Sequence, residues 1–209
     1  MKNFNGIVVT VSLVFISIIN VTAQSFERSA IVISAGTNLG IYNTSFKYKS
    51  GSGSDSAKSG STAAVIYPIA CEFGLTNRIG IALQFGYSKF LKAADDKSTA
   101  NGIDAVLRGN FHIVKREKLD IALGVNYGYS HFKYNANDTY NSIIKANGTD
   151  LDFSLCGRIY ITKHFGVYLN IDVPAYNLQG VASDAINDSN NITFKLSGVK
   201  FGGGIQIKI

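Results

Sequence analysis

The sequence predicts an all-β chain, an eight-stranded antiparallel up-and-down transmembrane β-barrel. Three observations carry that prediction: an export leader opens the chain, eight later segments alternate apolar with polar residues, and their connections alternate short with long. The last segment shows the alternation most plainly. Val199, Phe201, Ile205, Ile207 and Ile209 share one parity, and Lys200, Gln206 and Lys208 share the other. Successive strand side chains point to opposite faces, so this strand has one apolar wall and one polar wall. Within a bilayer only helices and closed barrels satisfy their own backbone hydrogen bonds. No segment beyond the leader is a continuous apolar run of the ~20 residues a spanning helix needs. A membrane crossing therefore has to use strands, with the apolar wall outside and the charges inside.

Residues 1–23 have the pattern of a cleaved signal peptide. Lys2 supplies the charge, Ile7 to Ile19 an apolar core, and Val21, Thr22 and Ala23 a small-residue cleavage site. The remaining 24–209 is expected to form one barrel domain. Without the leader the formal charge falls from +6 to +5, because Lys2 is the only charged side chain removed. That modest excess, with no basic helix or aromatic RNA motif, points away from nucleic acid. The two cysteines, Cys71 and Cys156, fall on opposite parities of distant strands, so no disulfide is expected.

Taken in order, strands are expected at 29–42, 63–75, 79–91, 102–114, 118–133, 150–162, 165–176 and from about Lys195 to the end. Their outward residues begin with Ile31, Ile33, Leu39 and Ile41, and continue through Leu83, Leu107, Leu123, Leu155 and Leu169. Each is long enough to cross, since a tilted strand spans the bilayer in ~9–11 residues. Pro forfeits a ladder hydrogen bond, which places Pro174 at a strand end and Pro68 at a bulge. Residues 76–78, 115–117 and 162–164 are expected to be short periplasmic turns. Residues 43–62, 92–101, 134–149 and 177–193 are expected to be long extracellular loops. Tyr67, Tyr87, Tyr127, Tyr129 and Phe153 gather toward the long-loop ends, and Phe73 and Phe111 toward the turns, as interfacial girdles would.

These features together resemble a known family. The segment from Gly74 through Leu75, Thr76, Asn77, Arg78 and Ile79 to Ile81, and the Gly-rich final strand, look like the small outer-membrane barrels of the OmpA/OmpX type. They look in particular like porin-like barrels of Bacteroidetes-type bacteria, and the likeness covers the whole mature chain. It implies a Gram-negative outer-membrane location and no enzymatic activity.

The inward parity collects Glu72, Arg108, Asp120, Arg158, Asp172 and Lys200. Eight strands enclose only enough room for side chains to fill, and buried charges must pair. A structural lumen network is therefore expected, with Asp172 near Arg158, His112 opposite Asp120, and Glu72 reaching Arg108 across the lumen. Ser130 and His131 are the one nucleophile–base candidate, but neighbours on a strand face opposite ways. No catalytic, metal or cofactor-binding residue is assigned, and no cofactor is expected. Asn-x-Ser/Thr triplets at Asn43, Asn137, Asn147, Asn187 and Asn191 read as polar loop composition. The acidic stretch 184–191 lacks ordered calcium-ligand spacing.

The expected role is structural or surface-interactive, through four extracellular loops. The expected partners are outer-membrane lipid and lipopolysaccharide, the barrel assembly machinery, and a host or cell-surface ligand at the loops. The expected state is a monomer. The alternatives are a narrow pore for ions or small solutes, an outer-membrane lipid hydrolase, and a soluble lipocalin-like carrier.

Overall fold

The period-two alternation folds into eight strands. In this computed structural model they are β1 (Ile31–Lys49), β2 (Ser56–Gly74), β3 (Ile79–Phe90), β4 (Thr99–Lys115), β5 (Leu119–Asn135), β6 (Ile143–Tyr160), β7 (Phe165–Ser183) and β8 (Ser189–Lys208). The structure describes residues 26–49, 56–91, 98–136, 142–183 and 189–209. The expected leader and the acidic stretch 184–188 lie outside the described residues. Each strand pairs antiparallel with its sequence neighbours, and β8 closes on β1. Ile31 and Ile209 exchange both backbone hydrogen bonds at that seam.

The closure has a stagger. Cross-strand partners lead from Ile33 through Cys71, Leu83, Leu107, Tyr127, Leu151, Ala175 and Ser197 back to Asn43, ten residues further along β1. On eight strands that stagger tilts each strand by about 40° and leaves an interior that side chains can fill. It also brings backbones close. A Cβ at Gly202 or Gly204 would strike the Thr37 or Ala35 carbonyl of β1, so this stretch of β8 has to be glycine.

Turn chemistry is local. The Thr76 hydroxyl oxygen accepts from the amides of Arg78 and Ile79, at 3.1 and 2.9 Å. Thr162 accepts from His164 and Phe165 in the same way, at 3.3 and 3.0 Å. In these two turns a threonine at the head thus satisfies amides that the reversing chain leaves free.

The outward parity holds as expected. Ile33, Leu83, Phe85, Leu107, Leu123, Phe153, Ile171 and Ile205 are all exposed, and Leu169 is 73% exposed. Only lipid makes such a continuous apolar surface favourable. Leu169→Arg is therefore expected to cost about 2–4 kcal/mol of barrel stability, the penalty for a charge facing the mid-bilayer. Spin labels at positions 83, 123, 169 and 205 should report lipid, and water contact at these sites would refute the assignment.

Three expectations need correction. Over their described residues, the segments 43–62, 134–149 and 177–193 are mostly strand rather than loop, residues 99–101 of the segment 92–101 belong to β4, and the strands run on toward the extracellular end. Asn177 to Ser183 of β7 continue beyond the apolar belt, rising roughly 15–20 Å at this tilt. Pro174 therefore stands within β7 rather than at its end. Pro68 does not mark a bulge either, because the β1–β2 register is the same on both sides of it. Each proline interrupts one ladder without shifting it. The register shift lies instead between His112 and Val114 of β4.

The extension was hidden because the pattern inverts at the membrane edge. Above the belt the outward residues become polar, as with Asn43, Lys47, Lys133, Lys145, Asn177 and Lys195. The inward ones become apolar, as with Phe132, Leu178, Ile192, Phe194 and Leu196. Water replaces lipid outside, so the apolar wall turns in.

Candidate functional site: the filled lumen

Three tiers occupy the interior. The lowest begins below the strands. Ser29 adopts a positive φ of 65°, and its amide donates to the Gly74 carbonyl at 2.8 Å, which turns residues 26–30 back under the barrel. Phe26 is thereby fully buried, and its ring stacks on His112 at 3.6 Å. Above it the His112 ring faces Asp120 at 2.7 Å through Nδ1 and Glu72 at 3.1 Å through Nε2. Arg158 bonds the same two carboxylates, Glu72 directly and Asp120 at 3.4 Å. Asn110 donates to Glu72 at 2.8 Å. Lys208 closes the rim, over the Tyr160 ring at 5.4 Å and 3.9 Å from Glu27.

The middle tier is polar. Arg108 donates from Nε to Asn126 at 2.7 Å and lies 3.7 Å from Asp172, which also accepts from Asn170 at 2.7 Å. A cavity of about 20 Å³ opens between Asn38, Arg108, Asn170 and Gln206, with space for about one water. The Asn38 and Asn170 carboxamide oxygens and both polar atoms of Gln206 have no protein partner there. A few ångströms of further rise bring Lys200, 2.5 Å from Asp152 and 3.3 Å from the Tyr176 hydroxyl. Asp104 accepts from Ser130 at 2.5 Å and from Tyr176 at 3.5 Å.

The top tier is an apolar cap. Tyr42, Ile66, Phe132, Leu178, Phe194 and Leu196 form one buried cluster, with Phe46 and Phe90 packed against it. Phe46 stacks on Phe194 at 4.1 Å, and Phe90 meets Phe132 edge-on at 5.3 Å. Among the described residues, the three tiers fill the lumen from one mouth to the other.

Glu72, Arg108, Asp120, Arg158, Asp172 and Lys200 all lie buried in this interior. His112 does sit against Asp120. Two expected pairings are replaced: Asp172 lies beside Arg108 rather than Arg158, and Glu72 pairs with Arg158 rather than Arg108. The stagger causes both changes. It sets Arg158 of β6 level with Glu72 of β2 across the lumen, while Arg158's register partner on β7 is Tyr168. Ser130 and His131 do face opposite ways: Ser130 bonds Asp104 inside, and His131 meets Asn147 outside at 2.5 Å. Cys71 faces out and Cys156 faces in.

Sequence reasoning missed the Phe26 plug, the Asp104–Ser130–Tyr176 contacts and the apolar cap. The cap had a signal, since Ile192, Phe194 and Leu196 alternate on the parity opposite to that of Val199 and Phe201. Phe26 had none, because a single aromatic ahead of a strand has no periodicity.

No protein-family model matches the chain, and no curated protein sequence does. Solved structures do match it. The outer membrane protein OprG from Pseudomonas aeruginosa is 9% identical, with a TM-score of 0.60 over 90% of this chain and 99% of that one. Neisserial surface protein A is 11% identical, with a TM-score of 0.51 over 84% of this chain and 99% of that one. At such identities the likeness is one of fold. The lipid-facing belt, the short turns at one end and the closed eight-strand ring make the same demand on their surroundings, and the chain is a small eight-stranded β-barrel of the Gram-negative outer membrane.

Proposed function

We propose that this protein is a sealed, non-enzymatic outer-membrane barrel whose role is structural and surface-interactive, exerted through the strand extensions that rise above the bilayer. The observation that carries the reading is the filled lumen. Phe26 closes the periplasmic mouth, ion pairs fill the centre, and stacked aromatics close the extracellular end. A permeant ion would have to displace charges already paired and then cross an apolar constriction, which resists hydration.

The contacts of the candidate catalytic groups support the non-enzymatic part. The Ser130 hydroxyl donates to a carboxylate, with the nearby imidazole of His131 on the far face of the sheet. A serine nucleophile needs a base within hydrogen-bond reach and a third group orienting that base. The His112 ring sits between two carboxylates and is stacked over Phe26.

Planar-bilayer recording of the refolded mature protein tests the reading. The expected result is negligible conductance in the wild type and measurable current in Phe132→Ala/Phe194→Ala, which opens the cap. A steady open-channel current in the wild type would replace the sealed barrel with a narrow solute pore.

A further inference from the structure

Among the described residues, charge on this barrel is segregated by height and by face. The described acids are Glu72, Asp104, Asp120, Asp150, Asp152 and Asp172 in the lumen, and Glu27 and Glu117 at the periplasmic end. On the outer face above the apolar belt, the described charges are all lysines: Lys47, Lys89, Lys133, Lys145 and Lys195, all exposed. Three of them form a row. Lys89 of β3 pairs in register with Asn101 of β4, Asn101 with Lys133 of β5, and Lys133 with Lys145 of β6.

Lys133 directly opposite Lys145 is an unfavourable arrangement in an isolated sheet, because like charges at cross-strand positions repel. Among the described residues no acid approaches the row to relieve it. Strand tilt makes the row climb from about 5 to about 14 Å above the last belt residues, Tyr87, Tyr129 and Leu151. The belt edge beneath is oriented upward. The Tyr87 hydroxyl donates to Asn101 at 3.0 Å, and the Tyr67 and Tyr87 rings stack at 6.5 Å. The row therefore stands at the height of lipid headgroups and continues directly into a surface that meets acyl chains.

We infer that Lys89, Lys133 and Lys145 form a docking site for a phosphate-bearing glycolipid headgroup of the outer leaflet, whose acyl chains lie against Tyr87, Ile103 and Tyr129. A phosphate monoester carries the dense negative charge that two facing ammonium groups require. A membrane-embedded ligand is held at this height by its own chains, whereas a soluble polyanion is not. Contact with such a lipid would fix the barrel's depth and brace the extensions. This inference is independent of whether the lumen conducts.

The test uses the refolded mature protein in zwitterionic detergent, titrated with bisphosphorylated lipid A and read by native mass spectrometry. Parallel titrations use dephosphorylated lipid A, inorganic phosphate and a sulfated polysaccharide. The wild type should retain the bisphosphorylated lipid, with an affinity that falls as salt rises. Each of Lys89→Gln, Lys133→Gln and Lys145→Gln should weaken retention about five-fold, the effect expected for one basic side chain at an anionic surface. Lys115→Gln/Lys163→Gln, at the periplasmic turns, should retain the lipid fully. The single substitutions are at exposed positions, and circular dichroism checks that each variant is folded. Equal retention of the dephosphorylated lipid would overturn the inference. So would saturation of the same lysines by inorganic phosphate, or polysaccharide binding with which lipid A does not compete.

Discussion

Arg158→Ala is expected to lower the unfolding midpoint of the refolded barrel by the equivalent of about 3–5 kcal/mol, the usual cost of breaking a buried ion pair from one side. Arg158 bonds both Glu72 and Asp120, and all three side chains are buried. Removing the guanidinium leaves two carboxylates sharing His112, with Asn110 as the other donor to Glu72. Arg108→Ala should cost less, because its approach to Asp172 is 3.7 Å and Asn170 still donates to that carboxylate. Lys58→Ala, at an exposed position of β2, should cost well under 1 kcal/mol. Urea titration in lipid vesicles, followed by tryptophan-free tyrosine fluorescence or band shift, measures all three. Glu72→Gln/Arg158→Met should recover part of the loss, since Glu72 is then no longer an uncompensated charge and Asp120 keeps His112. If Arg158→Ala unfolded like Lys58→Ala, the lower tier would have to be hydrated and the sealed-lumen reading would fail.

Phe26→Ala has the second large expected effect, about 3–5 kcal/mol, as for truncation of a fully buried aromatic. The ring stacks on His112 and would be met by a side chain at Gly80, so nothing nearby can collapse into the space without moving the network. The loss should appear together with faster hydrogen exchange at the periplasmic ends of β2 and β4. Conductance should stay negligible, because the apolar cap, the constriction that resists hydration, is untouched. A current in this variant would show that the Phe26 plug, and not the network or the cap, is the seal.

How much of this was legible in the sequence differs from residue to residue. The strand faces were, since period-two alternation is local: Leu83 outward and Gln84 inward follows from their adjacency. The turns were too, because Thr76 and Thr162 satisfy amides only two and three residues away. The membership of the lumen network was legible from parity. Its pairings were not, because hairpin register brings together neighbours on adjacent strands, whereas Arg158 and Glu72 meet across the interior.

By itself the sequence determined eight amphipathic strands with a lipid-facing wall, because the bilayer imposes one rule on every spanning residue. Tertiary closure decided the rest. The ten-residue stagger set which charges meet, and the chain reversal at Ser29 brought Phe26 beneath His112. The height of each strand segment relative to the bilayer decided whether its apolar parity faces out or in. That last choice depends on the surrounding solvent, which changes from hydrocarbon to water partway along a single strand.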